Sequence, residues 1–251
     1  MENFTFNEAK ELPPMPDLKV DFVRHGKPVY TKEEMESLEL EGELTPEGEV
    51  DIKRKALNLS SQLDKEKELI VFWVSPKRRA QQTAKVMRGV FLDQGVSVLK
   101  EPKTFQSLAD IKVNKAFFAD LIKNGALNDW MEYWVANELP EGTEKPQDVR
   151  KRVTKVMTFL DRVARNVKPE GNKKLHFIVI GHEEIFRDIL EDAYGFGTKK
   201  GTGPDYGESL SLDFTKSEPG KNADIKLQFR GKEAKLELDK NTRSLNKPAT
   251  S

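Results

Sequence analysis

Lys19-Val20-Asp21-Phe22-Val23-Arg24-His25-Gly26 is a short, mostly apolar run halted by an arginine, a histidine and a glycine. It is too brief for a helix, and its β-branched and aromatic residues suit a strand ending in a polar loop. Two later runs repeat the design: Leu69 to Val74 gives way to Ser75-Pro76, and Leu175 to Ile180 gives way to Gly181-His182. A helical pattern follows each run. Strands that are apolar on both faces and alternate with helices build a parallel sheet. The expected fold is α/β: a three-layer sandwich with a mainly parallel central sheet and helices on both faces. A helical insertion is expected over the carboxyl ends of the strands.

Working outward, Leu44-Thr45-Pro46 opens a helix, with Thr45 as cap and Pro46 at the first helical position. Ile52, Ala56, Leu59 and Leu63 keep one face of it apolar to about Asp64. Ser75-Pro76 repeats the cap-plus-proline device for a helix reaching about Phe91, and Val96 to Leu99 reads as a third strand. Glu101 to Pro146 is irregular, with two short helical stretches and the aromatics Phe105, Phe117, Phe118, Trp130, Tyr133 and Trp134. Such aromatics are more often core than substrate box, although insertions over a strand-end pocket commonly set specificity. Helices follow from Gln147 to Asn166 and from Glu183 to Tyr194, then a glycine-rich loop from Gly195 to Gly207. Ser209 to Phe214, Ile225 to Phe229 and Ala234 to Leu238 read as later strands, the last two joined at Arg230-Gly231. Residues 1–18, with Pro13, Pro14 and Pro16, read as an extended arm. Residues 19–238 form one domain with an insertion at about 101–146, and 239–251 form a polar, flexible tail.

Composition excludes several classes. Lys plus Arg (42) equal Asp plus Glu (42), so no global field draws the chain to nucleic acid or a membrane surface. No cysteine is present, which removes disulfides, thiolate metal sites and a cysteine nucleophile. Three histidines supply an imidazole zinc cage poorly, and neither metal nor cofactor is expected. The N-terminal residues lack the apolar core of a signal peptide, and no run reaches membrane-spanning length. A cytoplasmic location is the expectation.

The chemistry gathers at the strand ends. The first strand delivers Arg24 and His25, the second delivers Ser75 and, one turn on, Arg79, and the late strand delivers His182. In parallel α/β sheets ligands bind beyond the carboxyl ends of the strands, so these groups should converge. Two guanidiniums can clamp a phosphoryl group, helix N-termini add backbone donors, and a neutral imidazole in line with the leaving oxygen can act as nucleophile. Taken singly, each residue has a plain explanation: a strand-end histidine as a cap, Arg79 as a surface charge. Their combination changes the reading. His176, inside the late strand, is read as core.

These residues also carry a resemblance. Val20-Asp21-Phe22-Val23-Arg24-His25-Gly26 resembles the signature of the histidine phosphatase superfamily, the phosphoglycerate mutase-like proteins. Leu44-Thr45-Pro46-Glu47-Gly48 is similar to the next segment of that family. Ser75-Pro76-Lys77-Arg78-Arg79-Ala80-Gln81-Gln82-Thr83-Ala84 resembles its second-strand motif, and Gly181-His182 its late histidine. Order and spacing agree from about Lys19 to Phe214. The resemblance implies that His25 is the phosphorylated nucleophile, that Arg24 and Arg79 bind the phosphoryl oxygens, and that His182 contacts the same group. It implies no metal. Lys27-Pro28 follows the glycine where the family often has a hydroxyl residue two positions on. Lys27 then either adds positive charge at the pocket mouth or is solvated.

A leaving alkoxide needs an acid. Leu108-Ala109-Asp110 fits the family's Leu-x-acid pattern and makes Asp110 the first choice, with Glu183 or Glu184 as the alternatives. Acids in a first helical turn also have a plain electrostatic role. Lys27, Ser75 and Glu183 are the expected substrate contacts. The leading expectation is a metal-independent phosphomonoester hydrolase working through a phosphohistidine, on a small phosphorylated compound or a phosphoprotein. A phosphoglycerate-type mutase is the alternative, though the chain lacks the Glu-Ser-x-x-Asn that follows the signature in those enzymes. A non-catalytic phospholigand scaffold is disfavoured because all four core residues are present.

Overall fold

The computed structural model describes residues 18–169, 171, 173–196, 201–215, 222–239, 241–242 and 244–248. The arm expected over 1–18 lies, Leu18 apart, outside the described residues, as do residues 249–251 of the tail.

The parallel core of the sheet consists of β1 (Leu18–Arg24), β4 (Glu68–Val74), β5 (Lys103–Thr104) and β6 (Lys174–Gly181), in the order β1-β6-β4-β5. On the other side of β1 the sheet continues antiparallel through β7 (Ser209–Phe214), β8 (Ala223–Phe229), β9 (Lys232–Asp239) and β10 (Ser244–Asn246). The sheet is therefore mixed around a parallel core. Sequence pattern marks the division: β1 and β6 are buried almost throughout, whereas β8 alternates buried and exposed residues, as a strand covered on one face must. Arg230 and Gly231 close the β8–β9 hairpin with φ of 47° and 72°, a two-residue turn that needs positive φ at both positions.

Helices cover both faces. Against one face pack α6 (Pro146–Asn166) and α7 (Glu183–Tyr194), through Val149, Met157, Leu160, Phe186 and Ile189 on Phe22, Phe177 and Val179. Against the other pack α2 (Pro46–Ser60) and α3 (Arg78–Asp93), through Ile52, Ala56, Ala84 and Phe91 on Val23, Phe72 and Ile178. Thr45 caps α2 as expected, its Oγ1 accepting the Gly48 N–H at 2.9 Å. A short helix, α1 (Lys32–Ser37), precedes a two-stranded ribbon of β2 (Pro28–Val29) and β3 (Glu43–Leu44). The insertion carries α4 (Lys115–Lys123) and α5 (Trp130–Ala136).

Three local expectations are corrected and a fourth is borne out with more detail. Ser75 does not cap α3; the helix begins at Arg78 after Lys77, and the Ser75 hydroxyl is instead bound to His182. Val96 to Leu99 makes only an isolated bridge to Ile70, because the left-handed Lys100 (φ 55°) breaks the extended run, and the edge strand forms at Lys103–Thr104. The tail does not fray throughout: β10 pairs with β9 and anchors Leu245, which is buried. His176 is core, but as an ion-paired group. It lies fully buried on the α2/α3 side with Nε2 2.7 Å from Asp21 Oδ2 and Nδ1 2.6 Å from Glu68 Oε2. Burial alone would depress its pKa; Asp21 and Glu68 overcome that and hold it above the ordinary value.

Candidate active site

Strand register assembles the site. Val23 and Val74 both align with Ile180, and Arg24 aligns with Gly181, so the ends of β1, β4 and β6 lie level. His25 N donates to Gly181 O (3.0 Å) and Ser75 N to Ile180 O (2.9 Å), which carries the alignment one residue beyond the strands. His25 and His182 then face each other with ring centroids 5.0 Å apart. Gly26 is required here for space: a Cβ at that position would sit 2.8 Å from Ile52 Cγ1 and 2.9 Å from Leu44 Cδ2. Its N–H donates to Thr83 Oγ1 (3.0 Å), fastening the loop to α3.

Arg79, in the first turn of α3, is the hub. Its Nε donates to His25 Nε2 (3.1 Å), and its Nη2 to Asp110 Oδ2 (2.7 Å) and His182 Nδ1 (3.1 Å). Its Nη1 holds the carbonyls of Leu40 and Glu41, the latter at 2.9 Å. These contacts fix both tautomers. His25 Nδ1–H donates to Gly26 O (2.8 Å), leaving the Nε2 lone pair toward Arg79. His182 accepts at Nδ1, so Nε2–H donates to Ser75 Oγ (2.7 Å). Arg24 is held by Pro204 O (2.8 Å) and Glu183 Oε2 (2.7 Å), and its guanidinium lies 4.2 Å from the centre of the Tyr206 ring.

Electrostatics follow from burial among cations. Burial, then Arg79, then Arg24 lower the His25 pKa to about 3, so the imidazole is neutral at physiological pH. His182 is pushed well below its usual range by burial and by the nearby His25 and Arg79. Glu184, buried in the first turn of α7, is raised to about 7 by burial and by the Asp110 charge. Its Oε1 accepts the Ile111 N–H (3.2 Å). Glu183 is also raised by burial, with Arg24 opposing. Among the described residues, no group of three or more histidine and carboxylate side chains is arranged to hold a metal ion.

Residues 20–220 match the model of the histidine phosphatase superfamily, branch 1. The chain belongs to this superfamily. Solved structures share the fold, among them the following three. A mycobacterial glucosyl-3-phosphoglycerate phosphatase is 16% identical, with a TM-score of 0.52 over 77% of this chain and 89% of that one. A protein described as mycobacterial hydrolase 1 is 16% identical (TM-score 0.56, 86% and 99%). A putative α-ribazole-5′-phosphate phosphatase from Escherichia coli is 17% identical (TM-score 0.51, 85% and 97%). No curated protein matches the chain by sequence.

Arg24, His25, Arg79, Asp110, His182, Glu183 and Glu184 all line one cavity of about 270 Å³. Two expected substrate contacts do not. Lys27 is exposed and borders a neighbouring depression with Glu47 and Asp51, because the chain turns outward after Gly26 to form β2. Ser75 is fully buried behind His182 and orients that ring. Glu183 reaches the cavity as the partner of Arg24. Sequence reasoning missed Tyr206 on Arg24, Tyr30 at the cavity edge, and Arg152 of α6. Arg152 donates to Ser107 O (2.9 Å), Ala109 O (2.6 Å) and Asp110 O (3.3 Å), and pairs with Glu144 (2.8 Å). Loop tyrosines and a helix arginine carry no periodic signal. The aromatic insertion divides: Phe117, fully buried, forms both core and cavity wall, Trp134 is core, and Phe118 and Trp130 border the cavity while half-buried.

Proposed function

We propose that this phosphatase hydrolyses phosphomonoesters by way of a phosphohistidine at Nε2 of His25, without a metal ion. The observation that carries the reading is the state of His25. It is buried and neutral, its tautomer is locked by the Gly26 carbonyl, and its Nε2 lone pair meets the guanidinium hub of Arg79. Arg24 and Arg79 then take the equatorial phosphoryl oxygens, the electrostatic role that dominates phosphoryl transfer. His182 Nδ1, with Ser75 behind it, keeps Arg79 aimed at the same point.

In the first step the Nε2 lone pair attacks phosphorus and the P–O bond to the alcohol breaks. The Asp110–Glu184 carboxyl pair gives a proton to the departing alkoxide; Glu184 is where that proton rests near neutrality, and Asp110 faces Arg79. In the second step the same pair takes a proton from water, whose oxygen attacks phosphorus, and the N–P bond breaks to free phosphate. A cavity just below the ~300–1,000 Å³ of ordinary small-molecule sites favours a small phosphorylated substrate. The fold neighbours described as phosphatases of glucosyl-3-phosphoglycerate and of α-ribazole-5′-phosphate agree with that scale. No described helix is long and apolar enough to cross a membrane, and a cytoplasmic location fits a chain without cysteine.

The test is hydrolysis of an aryl phosphate by wild type and His25→Ala in the presence of EDTA. Phosphate release that resists the chelator and disappears in the variant is expected, with acid-labile, base-stable label trapped on His25 from a radioactive substrate. Loss of activity on chelation would refute the metal-free route, and isomerisation of 3-phosphoglycerate with little phosphate release would make the chain a mutase.

A further inference from the structure

The cavity above His25 has two unlike halves. Its floor holds every charged group of the site. Its outer wall is Ile111, Val113, Phe117, Phe118 and Leu121 from the insertion, with Trp130 beside them. Phe117 and Leu121 are buried, and their far sides belong to the main core; Phe117 also packs edge-on against Phe118 at 6.1 Å. Leu127, half exposed, extends the wall to the mouth. The wall is therefore fixed by the core behind it, and Trp130 apart its side chains carry no hydrogen-bonding group; Tyr30 and Tyr206 line the cavity elsewhere.

We propose that the alcohol portion of the substrate is apolar, a small aromatic or branched aliphatic group seated on the α4–α5 wall while its phosphate lies on Arg24 and Arg79. This rests on the phosphatase reading and adds the substrate class to it. Two physical effects set the preference. A ring or alkyl chain removed from water against this wall gains binding in proportion to the apolar area covered. A polyhydroxylated group placed there leaves hydroxyls without partners, and each such hydroxyl weakens binding by a factor of about five to a hundred. The charged floor anchors the phosphate equally for every ester, so the rest of the lining discriminates, and most of it is the apolar wall.

The experiment compares kcat/KM for 2-phenylethyl phosphate and n-butyl phosphate with glycerol 1-phosphate and glucose 6-phosphate. All four release an unactivated alkoxide, so chemistry at phosphorus is matched. The apolar esters are expected to be favoured by at least tenfold, and Phe118→Ser and Leu127→Asn should each shrink that ratio by at least threefold. A ratio between substrates does not depend on the fraction of enzyme that is folded, so a destabilised variant still reports. Hydrolysis that favours the glycerol or glucose ester, or a ratio unchanged in both variants, overturns the apolar assignment and leaves the phosphatase standing. Absence of turnover on all four esters and on an aryl phosphate overturns both.

Discussion

Glu184→Gln should make the protein more stable and less active, and the stability gain should appear only as pH rises. Glu184 is buried, and burial with the Asp110 charge moves its pKa from 4.5 to about 7. At ~1.4 kcal/mol per pKa unit, ionising it in the folded state opposes folding by about 3 kcal/mol. The sign follows from proton uptake. Between pH 4.5 and 7 the folded protein holds this proton and the unfolded chain has released it, so stability falls as pH rises through that window. Below pH 4.5 the contribution is intact; above about 8 it is gone. Glutamine keeps an oxygen for the Ile111 N–H and cannot ionise. The variant should therefore exceed wild type by less than ~1 kcal/mol at pH 5 and by about 3 kcal/mol at pH 8. For a chain of this size that is a Tm gain of roughly 6–12 °C at pH 8. Over the same range kcat should drop about a hundredfold, the usual weight of general acid catalysis. Differential scanning calorimetry at pH 5, 6, 7 and 8 reads the first effect, and steady-state kinetics reads the second. Equal Tm gains at pH 5 and pH 8 would refute the argument, as would no gain at pH 8, since the reasoning places the whole effect in the buried carboxylate.

Arg79→Lys should lower kcat/KM by about a hundred- to a thousandfold with the circular dichroism spectrum retained, because an ammonium cannot reach His25, His182 and a phosphoryl oxygen with one planar fork. Asp21→Ala should reduce stability by about 3 kcal/mol in urea titrations at pH 6, the expected loss on stripping one partner from a buried pair. The deficit should shrink at pH 9, because the His176 pKa is raised: its charge contributes fully below 6.5 and fades as pH passes the elevated value. Arg152→Met should cut kcat at least tenfold with little change in KM, and should move the limb of the pH–rate profile near 7, because Arg152 holds the backbone that carries Asp110. An unmoved profile in that variant would show that Arg152 serves only the stability of the loop.

Much of this was readable from the residues because strand ends are local features. An apolar run that stops at Arg24-His25-Gly26, Ser75 or Gly181-His182 announces both a buried strand and the atoms it presents at its tip, and strand register then brings those tips together. Arg79 was legible for a similar reason, since one helical turn separates it from Ser75. What failed was whatever depends on the other side of a contact. Ser75 looked like a helix cap, but its hydroxyl is taken by His182 across 107 residues. Lys27 follows the motif directly and could be read as charge at the pocket mouth or as a solvated side chain; only the pairing of β2 with β3, which carries it out to solvent, separates the two. Tyr206 sits in a glycine-rich loop with no pattern of its own and reaches Arg24 only through the fold. The antiparallel half of the sheet was visible as alternating strands, but that β10 completes it rests on one buried leucine in an otherwise polar tail.

The resting site also explains why an acid belongs beside the second arginine. Each guanidinium already carries a carboxylate: Glu183 on Arg24 and Asp110 on Arg79. These pairs compensate the charge of each guanidinium while no substrate is bound. A phosphoryl dianion approaching these guanidiniums competes with both carboxylates. Asp110, the partner of Arg79, is the carboxylate that such a dianion meets beside the second arginine. Glu184, near its midpoint at neutral pH, is the neighbouring group that carries a proton there. On this view Glu184 holds the proton, and its midpoint should rise further when a phosphoryl dianion binds nearby.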